Sequence, residues 1–526
     1  MHFDKKRWDG KPLPKWEEAR SILPEPVFEG WPAAVEAYWG AWKIALRNMR
    51  QPTPKNGFVS NYMYMDFSNA IFAHDTTFMV AYGRYGHRLF SAVESFDNFY
   101  VKQHPTGEIC REIGIENGED YWKNTEGDPL WVALYEPHKN NPAGYYFTRP
   151  TIKSHPQPSF CSLPGLNDPS CMAWGEMESY RITADAARLR RILPVQKAWY
   201  DAFQVYVRAE CGFYVTDWAS ADNHPRNPYL GYGVDVVNQM IHLAELLLEI
   251  GGIIGEEAGA DRYRKDVEET VELVQRFMWH EETAMFYDLD KELRIIPFKA
   301  VFGFWPMLSG AATEEQCKAL VQHLDDPKSF NRRVRVPTLA ADQPTFTPKG
   351  SYFHGGVFPF TNHMVIRGLE KQGYDRLARE IAISHWSASV ELFQKTGTVW
   401  EYLQPDEIAP GEAALGDPGE KARPDFAGWG ALPVIGYLIE YAIGLKADAP
   451  ANTVIWNLTE TKCCGCRRFA FGDVVTDLVA LERTSSEEEP RLELQTNKPY
   501  KLILRWGKNK EKRISVGEDN QKIKSC

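Results

Sequence analysis

The chain has 526 residues, 44% of them hydrophobic and 13% aromatic, enough apolar side chain for a large core and more length than one ordinary domain uses. Its 71 acidic residues outnumber 60 basic ones, and the resulting charge of −11 argues against a polyanionic partner, because nucleic-acid binding depends on a basic surface that releases counterions. A neutral or small soluble ligand is expected, with neither nucleic acid nor membrane as partner.

Residues 1–16 are charged and proline-containing, without the apolar h-region of a secretory signal, and no uninterrupted apolar run of membrane-spanning length follows, so a cytoplasmic protein is expected. From about Trp31 to Leu445, amphipathic runs alternate with loops rich in Gly, Pro, Asn or aromatic residues, the pattern of successive helical hairpins. The spacing predicts helices over 33–49, 76–103, 185–210, 234–250, 262–278, 314–324, 362–370, 374–395 and 430–443. In the fourth, Val237, Ile241, Ala244 and Leu248 recur beside Met240, Leu243 and Leu247, a broad apolar face that belongs to a core. Long loops at 62–75, 213–232, 345–360 and 399–429 carry the aromatic and polar clusters, and loops of that length in a compact domain are usually functional.

After Leu445 the texture changes. Short β-favouring runs at 454–456, 469–471, 474–481, 491–494 and 501–506 predict a small antiparallel sheet, and the Lys- and Glu-rich stretch from Gly507 onward reads as a solvated tail. The expected plan is an N-terminal extension over 1–30, a helical catalytic domain over 31–447, a small β domain over 448–510 and a polar tail over 511–526. Nine scattered cysteines do not form a disulfide framework, and Cys463, Cys464 and Cys466 lack the second ligand pair of a zinc finger. Thirteen histidines contain no H-x-H or HExxH pattern, so neither a metal nor a cofactor is expected.

Two acidic segments stand out. Glu401 lies between Trp400 and Tyr402, with Pro405, Phe426, Gly428 and Trp429 downstream, and Asp222 lies in an Ala-Asp-Asn-His-Pro-Arg run ending at Arg226. Two carboxylates from distant parts of a chain are what glycoside hydrolysis needs on opposite sides of one bond. Asp217, next to Trp218, competes with Asp222 for the acid role; Glu407, or a plain pairing with Arg423, competes with a catalytic Glu401. Asp75 precedes a predicted helix and serves either as its N-cap or as a sugar ligand. Trp218, Trp400, Tyr402 and Trp429 supply rings for sugar faces, and His224, His354 and Arg226 supply hydrogen bonds to hydroxyls or to a substrate carboxylate.

Four segments in this order, His74-Asp75-Thr76-Thr77-Phe78, Asp222 with Arg226, Tyr352 to Phe358 with Asn362, and Trp400-Glu401-Tyr402 with Gly428-Trp429, resemble the six-hairpin glycosidases. The similarity is to the trehalase-like glycoside hydrolase families 63 and 37 and their mannosylglycerate-hydrolase-like relatives, over roughly residues 50 to 445. The resemblance implies a mainly α fold, an (α/α)6 toroid of helical hairpins with a small C-terminal antiparallel β domain. It also implies Asp222 as general acid, Glu401 as general base and Asp75 as a ligand of sugar hydroxyls. The implied enzyme is an inverting, exo-acting α-glycosidase for a short soluble glycoside, with glucoside or mannoside leading, and such a pair stands roughly 6.5 to 9.5 Å apart. The chain departs from the pattern at His74, where the family has Trp, at His354, where it often has Arg, and at Gly430, where Ser or Thr follows the Gly-Trp pair. These positions line the family's sugar pocket, so substrate identity is where this chain is expected to differ. Alternatives are a sugar epimerase or polysaccharide lyase with His224, Tyr232 or His354 as base, and a non-catalytic carbohydrate-binding protein.

Overall fold

The computed structural model describes residues 2–105, 107–119, 168–215, 226, 231–413, 421–517 and 521–523. Helices dominate up to Ile443 and strands after it. Helices Pro32–Arg47, Ala186–Tyr206, Val234–Ile254, Glu314–Asp325, Pro359–Lys371 and Asp375–Thr396 lie where the apolar spacing predicts them. The run predicted over 262–278 is helix Ala260–Leu273 continued by a π-turn Val274–Met278, and that over 430–443 ends in the π-helix Pro433–Ile443.

Two helical expectations need correction. The run predicted as one helix over 76–103 is broken: helix Ala73–Gly83 passes into the 3-10 turns Arg84–Gly86 and Ala92–Phe96 and a single α-turn Asp97–Tyr100. Gly83 lies where a Cβ would stand 2.6 Å from that of Ala92, so the chain folds back tightly instead of extending the helix. Helix Cys171–Thr183 has no counterpart among the predicted helices, because Gly175, Glu176, Glu178 and Ser179 interrupt its apolar residues and leave no continuous stripe to detect.

Helix Ala73–Gly83 packs on Cys171–Thr183, that helix on Val234–Ile254, that on the short helix Trp305–Ser309, and that on Pro359–Lys371. Pro359–Lys371 reaches Pro433–Ile443 through stacked His363 and Tyr437, and Pro433–Ile443 returns to Ala73–Gly83. A second set lies outside these: Pro32–Arg47 on Pro433–Ile443 and Asp375–Thr396, Ala186–Tyr206 and Ala260–Leu273 on Val234–Ile254. By length and composition Val234–Ile254 qualifies as a membrane span, contrary to the expectation of no such run, yet it is a core helix whose apolar side chains are taken up by these neighbours.

At the C-terminal ends of the inner helices sits a buried charge cluster. Arg84 pairs with Glu178 and, at 2.5 Å, with Glu440; Arg367 meets Glu178 at 3.0 Å, Glu440 at 2.8 Å and Glu370 at 2.9 Å. The opposite ends, where these helices begin, carry His74, Asp75, Cys171, Asp235 and Phe360.

The strands after Gly444 form two sheets. One runs Glu25–Phe28, Cys464–Phe471, Val474–Ala480, Leu492–Thr496 and Gln521–Ile523, all antiparallel, so the N-terminal stretch contributes a strand to the C-terminal unit. The other runs Lys510–Val516, Tyr500–Trp506, Thr453–Leu458 and Leu445–Asp448. Here the all-antiparallel expectation is corrected: Tyr500–Trp506 lies parallel to Thr453–Leu458, because the first sheet's hairpins are inserted between them and act as the crossover that a parallel pair requires. The predicted tail over 511–526 is also corrected, since Lys510–Val516 pairs along its whole length with Tyr500–Trp506 while its charged side chains stay exposed. Cys464 and Cys466 are buried in the sheet core and Cys463 is half-buried beside them.

Candidate active site

Glu401 reaches its position through a turn that the sequence encodes plainly. Gly397, in the left-handed region at φ 73°, ends helix Asp375–Thr396 and sends the chain into an extended segment. That segment is held from two sides: Glu401 N–H donates to the Arg423 carbonyl at 3.0 Å, and Leu403 and Val357 exchange backbone hydrogen bonds of 3.1 and 2.8 Å. Alternation along it sends Trp400 and Glu401 in different directions. Trp400 packs between the main core and a small cluster of Val334, Val357, Ala388, Leu392 and Leu403 and donates to Thr396 Oγ1, so its ring is taken up in packing.

The Glu401 side chain is 2% exposed. Its two oxygens accept from Arg423 Nη1 at 2.8 and 2.9 Å, and Oε2 also accepts from the Arg423 backbone N–H at 3.2 Å. The pairing with Arg423 is therefore made, and it is compatible with chemistry: a guanidinium favours the ionised carboxylate, the form a general base must present. Glu407, the rival on the same loop, is exposed.

Aromatic rings connect this segment to the start of the inner helices. Trp429 Nε1 donates to the Glu401 carbonyl at 2.7 Å, and the Trp429 ring lies 4.9 Å from Phe360, 5.0 Å from Phe426 and 5.8 Å from His74. Tyr402 stacks on Phe358 at 4.5 Å, fully buried, with its hydroxyl donating to the Glu412 carbonyl, which makes it part of the wall's core. On the outer rim Phe67, 39% exposed, stacks with Phe72 and Phe426 while the Arg423 guanidinium lies 4.5 Å over its ring. Gly430 explains one departure from the family pattern: a Cβ there would come within 2.3 Å of the Trp400 carbonyl oxygen and 2.6 Å of that of Phe426, so Ser or Thr does not fit.

Asp75 is held by the antiparallel pairing of Ala70–Phe72 with Glu112–Gly114, whose continuation bonds Ala73 N–H to the Arg111 carbonyl. It lies in the first helical turn, the N-cap being Phe72, whose side chain makes no capping bond. The side chain is buried, Oδ1 has no hydrogen-bond partner among the described residues, and burial pushes the carboxyl up to about 7, with His74 and Arg111 opposing and Glu112 adding to the rise. A buried acceptor left unmade costs roughly 1–3 kcal/mol, which a bound sugar hydroxyl would recover. Next to it, His74 Nδ1 lies 2.5 Å from Asp168 Oδ2; burial lowers the imidazole's proton affinity, but Asp168 outweighs this and the net shift is upward.

The remaining predicted residues divide. Asp217, Trp218, Asp222 and His224 lie outside the described residues. Arg226 is buried, donating through Nε to Asp288 at 2.8 Å and through Nη2 to Asp235 at 2.6 Å, with its guanidinium over Phe302. These contacts tie Arg226 to the start of helix Val234–Ile254 and to Asp288 and direct the guanidinium into the protein. His354 is also buried, Nδ1 lying 3.3 Å from the Thr345 carbonyl. Three of the four motif segments thus meet around Trp429 and Phe360. Sequence reasoning missed Asp168, Cys171 and Phe360, for which no local word exists; Arg423 carried a signal as a cation just upstream of the Gly-Trp pair.

Comparison with known proteins agrees with this picture. Residues 229–417, which include His354 and Glu401, match the family model of the mannosylglycerate hydrolase MGH1-like glycoside hydrolase domain. An uncharacterized protein of Borreliella burgdorferi is 26% identical over 353 residues, covering 65% of this chain and 73% of that one. Among solved structures, the GH63 mannosylglycerate hydrolase from Thermus thermophilus in complex with glucose superposes with a TM-score of 0.54 at 16% identity, covering 75% of this chain and 98% of that one. Its complex with Tris and D-glycerate gives 0.55 at 15% identity, with 76% and 99% covered. A GH78 family rhamnosidase of a Bacillus species gives 0.58 at 13% identity, covering 90% of this chain and 41% of that one. The resemblance to six-hairpin glycosidases with mannosylglycerate-hydrolase-like relatives holds, and the enzyme class is glycoside hydrolase.

Proposed function

We propose that this chain is an inverting, exo-acting α-glycosidase for a short soluble glycoside, an α-glucoside or α-mannoside first, acting in the cytoplasm on an (α/α)6 toroid. The observation that carries the reading is Glu401: a buried carboxylate fixed by a guanidinium, behind the same Trp429 ring that touches His74 beside Asp75. The succession of inner helices that returns from Pro433–Ile443 to Ala73–Gly83 supports the toroid.

In this mechanism Glu401 removes a proton from water, whose oxygen attacks the anomeric carbon while Asp222 protonates the departing oxygen on the other face of the ring. The bond to the aglycone breaks as the bond to water forms, and the sugar leaves with its configuration inverted. Asp75 accepts a sugar hydroxyl on Oδ1, which has no partner among the described residues, while Trp429 and Phe67 offer ring faces. Arg226 acts as the anchor of the acid-bearing loop and leaves hydroxyl recognition to others. The neighbours seen with glucose and with D-glycerate make a sugar joined to a small acid the first substrate class to try.

A panel of aryl and disaccharide α-glycosides, with NMR reading the anomer first released, tests the proposal. Asp222→Asn and Glu401→Gln should each lose roughly 10²–10⁴ in kcat, and Asp217→Asn should not. A first-formed anomer matching the substrate refutes inversion. Full turnover in Glu401→Gln refutes the base, and full turnover in Asp222→Asn moves the acid to Asp217 or elsewhere.

A further inference from the structure

The position where the family pattern has Trp is His74, and the fold surrounds it with groups no sugar site requires. His74 Nδ1, Asp168 Oδ2 and Cys171 Sγ all lie within 4.8 Å of one another, with Sγ 3.8 Å from Nδ1. We propose that these three side chains form a binding site for a zinc-class transition-metal ion where helices Ala73–Gly83 and Cys171–Thr183 begin, beside Phe360 and Trp429.

Nitrogen, carboxylate oxygen and thiolate sulfur together make the borderline-soft donor set that selects zinc and its neighbours over magnesium or calcium. A tetrahedral ion with bonds of about 2.0–2.3 Å separates its nitrogen and oxygen ligands by ~3.3 Å and its nitrogen and sulfur ligands by ~3.6 Å. Starting from 2.5 and 3.8 Å, the imidazole and carboxylate part by under ~1 Å and the sulfur closes slightly, changes within reach of side-chain rotation.

The ligands are held as ligands usually are. Asp168 Oδ1 accepts from Gln239 Nε2 at 2.7 Å, which orients Oδ2 toward the histidine. The Cys171 N–H donates to the Asp168 carbonyl at 3.2 Å, so two ligands share one tight turn at the head of helix Cys171–Thr183. The His74 ring is clamped by Phe78 at 5.0 Å, Phe360 at 4.7 Å and Trp429 at 5.8 Å. A simple His–Asp pair needs none of the sulfur's placement. Three protein ligands leave a fourth position for water, the arrangement of open zinc sites. Binding displaces the thiol proton and the proton between His74 and Asp168, so about two protons reach solvent per ion.

The test uses the full-length protein, freed of metal with a chelator and titrated with Co²⁺, followed by Zn²⁺ in competition. One equivalent of Co²⁺ should produce tetrahedral visible bands together with a thiolate-to-cobalt charge-transfer band, and Zn²⁺ should abolish both. Cys171→Ser should lose the charge-transfer band and weaken binding at least about tenfold. His74→Gln, on a different helix, should weaken binding comparably and reads the same site should the Cys171 variant not fold. Cys463→Ser should change nothing. Absence of the band in the parent protein, or its survival in Cys171→Ser, overturns the proposal.

Discussion

Replacing Arg423 by Met keeps most of the side chain's length and removes the charge that faces Glu401. Two charge-assisted hydrogen bonds of 2.8 and 2.9 Å end on a carboxylate that is 2% exposed, while the arginine itself is 28% exposed. Breaking a buried ion pair by removing one partner costs about 3–5 kcal/mol, and partial solvation of the guanidinium sets the expected loss at the lower end, about 3 kcal/mol. For a chain this long each kcal/mol corresponds to roughly 1–2 °C in Tm, so Arg423→Met should melt about 3–6 °C lower. Glu401→Gln should lose less, and the double variant should melt no lower than Arg423→Met, because the cost comes from a stranded charge that the glutamine removes. Kinetics should be non-additive in the same sense. Arg423→Met should lower kcat by about 10²-fold, Glu401→Gln by about 10³-fold, and the double variant should match Glu401→Gln, as expected when the arginine acts through the base. Melting curves and kcat/KM for the four proteins in one buffer decide the matter. Strict additivity of the two single variants, in Tm and in kcat, would refute the claim that Arg423 works by holding Glu401.

The buried cluster of Arg84, Glu178, Arg367 and Glu440 should make the protein sensitive to acid. Burial opposes ionisation of Glu178, but Arg367 and Arg84 outweigh it and hold the carboxyl down at about 2 against an ordinary 4.5, and Glu440 is depressed in the same way. A depressed carboxyl contributes stability that is complete above its unfolded value and lost as pH falls through its folded one. Tm should therefore drop steeply between about pH 4.5 and pH 2, on the order of 3 kcal/mol from Glu178 alone, and less steeply in Arg367→Met; parallel curves for the two proteins would count against the cluster. Gly430→Ser should be poorly tolerated, since its Cβ meets two carbonyl oxygens at 2.3 and 2.6 Å. A loss of about 1–3 kcal/mol or more is expected, with a fall in kcat from the displaced Glu401 carbonyl contact, and unchanged melting of that variant would show the backbone yields more easily than argued.

Helix Asp375–Thr396, buried on one side, carries a stripe that a reader of the chain finds unaided, and Val234–Ile254, buried along nearly its whole length, is found from its dense apolar residues at helical spacing. Helix Cys171–Thr183 was not legible, because Gly175, Glu176, Glu178 and Ser179 interrupt its apolar residues, and the Lys-rich strand Lys510–Val516 was not, because backbone pairing specified it while its charged side chains stayed in water. In the candidate site, Glu401, Trp429 and Asp75 were legible as short words around acids and rings. Tyr402 and Trp400 belonged to the same word but turned into packing, since neighbours on an extended segment point to different sides.

Local spacing and composition sufficed for a mainly helical chain with a β appendage and for marking Glu401 as a carboxylate among rings, because both depend on residues close together along the backbone, while its role as candidate base came from the family resemblance. Which carboxylates receive Arg226, and that His74 meets Asp168 and Cys171 nearly a hundred positions away, emerged from packing, which also made the pairing of Glu401 with Arg423 a contact where the sequence had offered it as one reading. Such contacts depend on how the inner helices begin at one common face, and no window of sequence contains two of those beginnings at once.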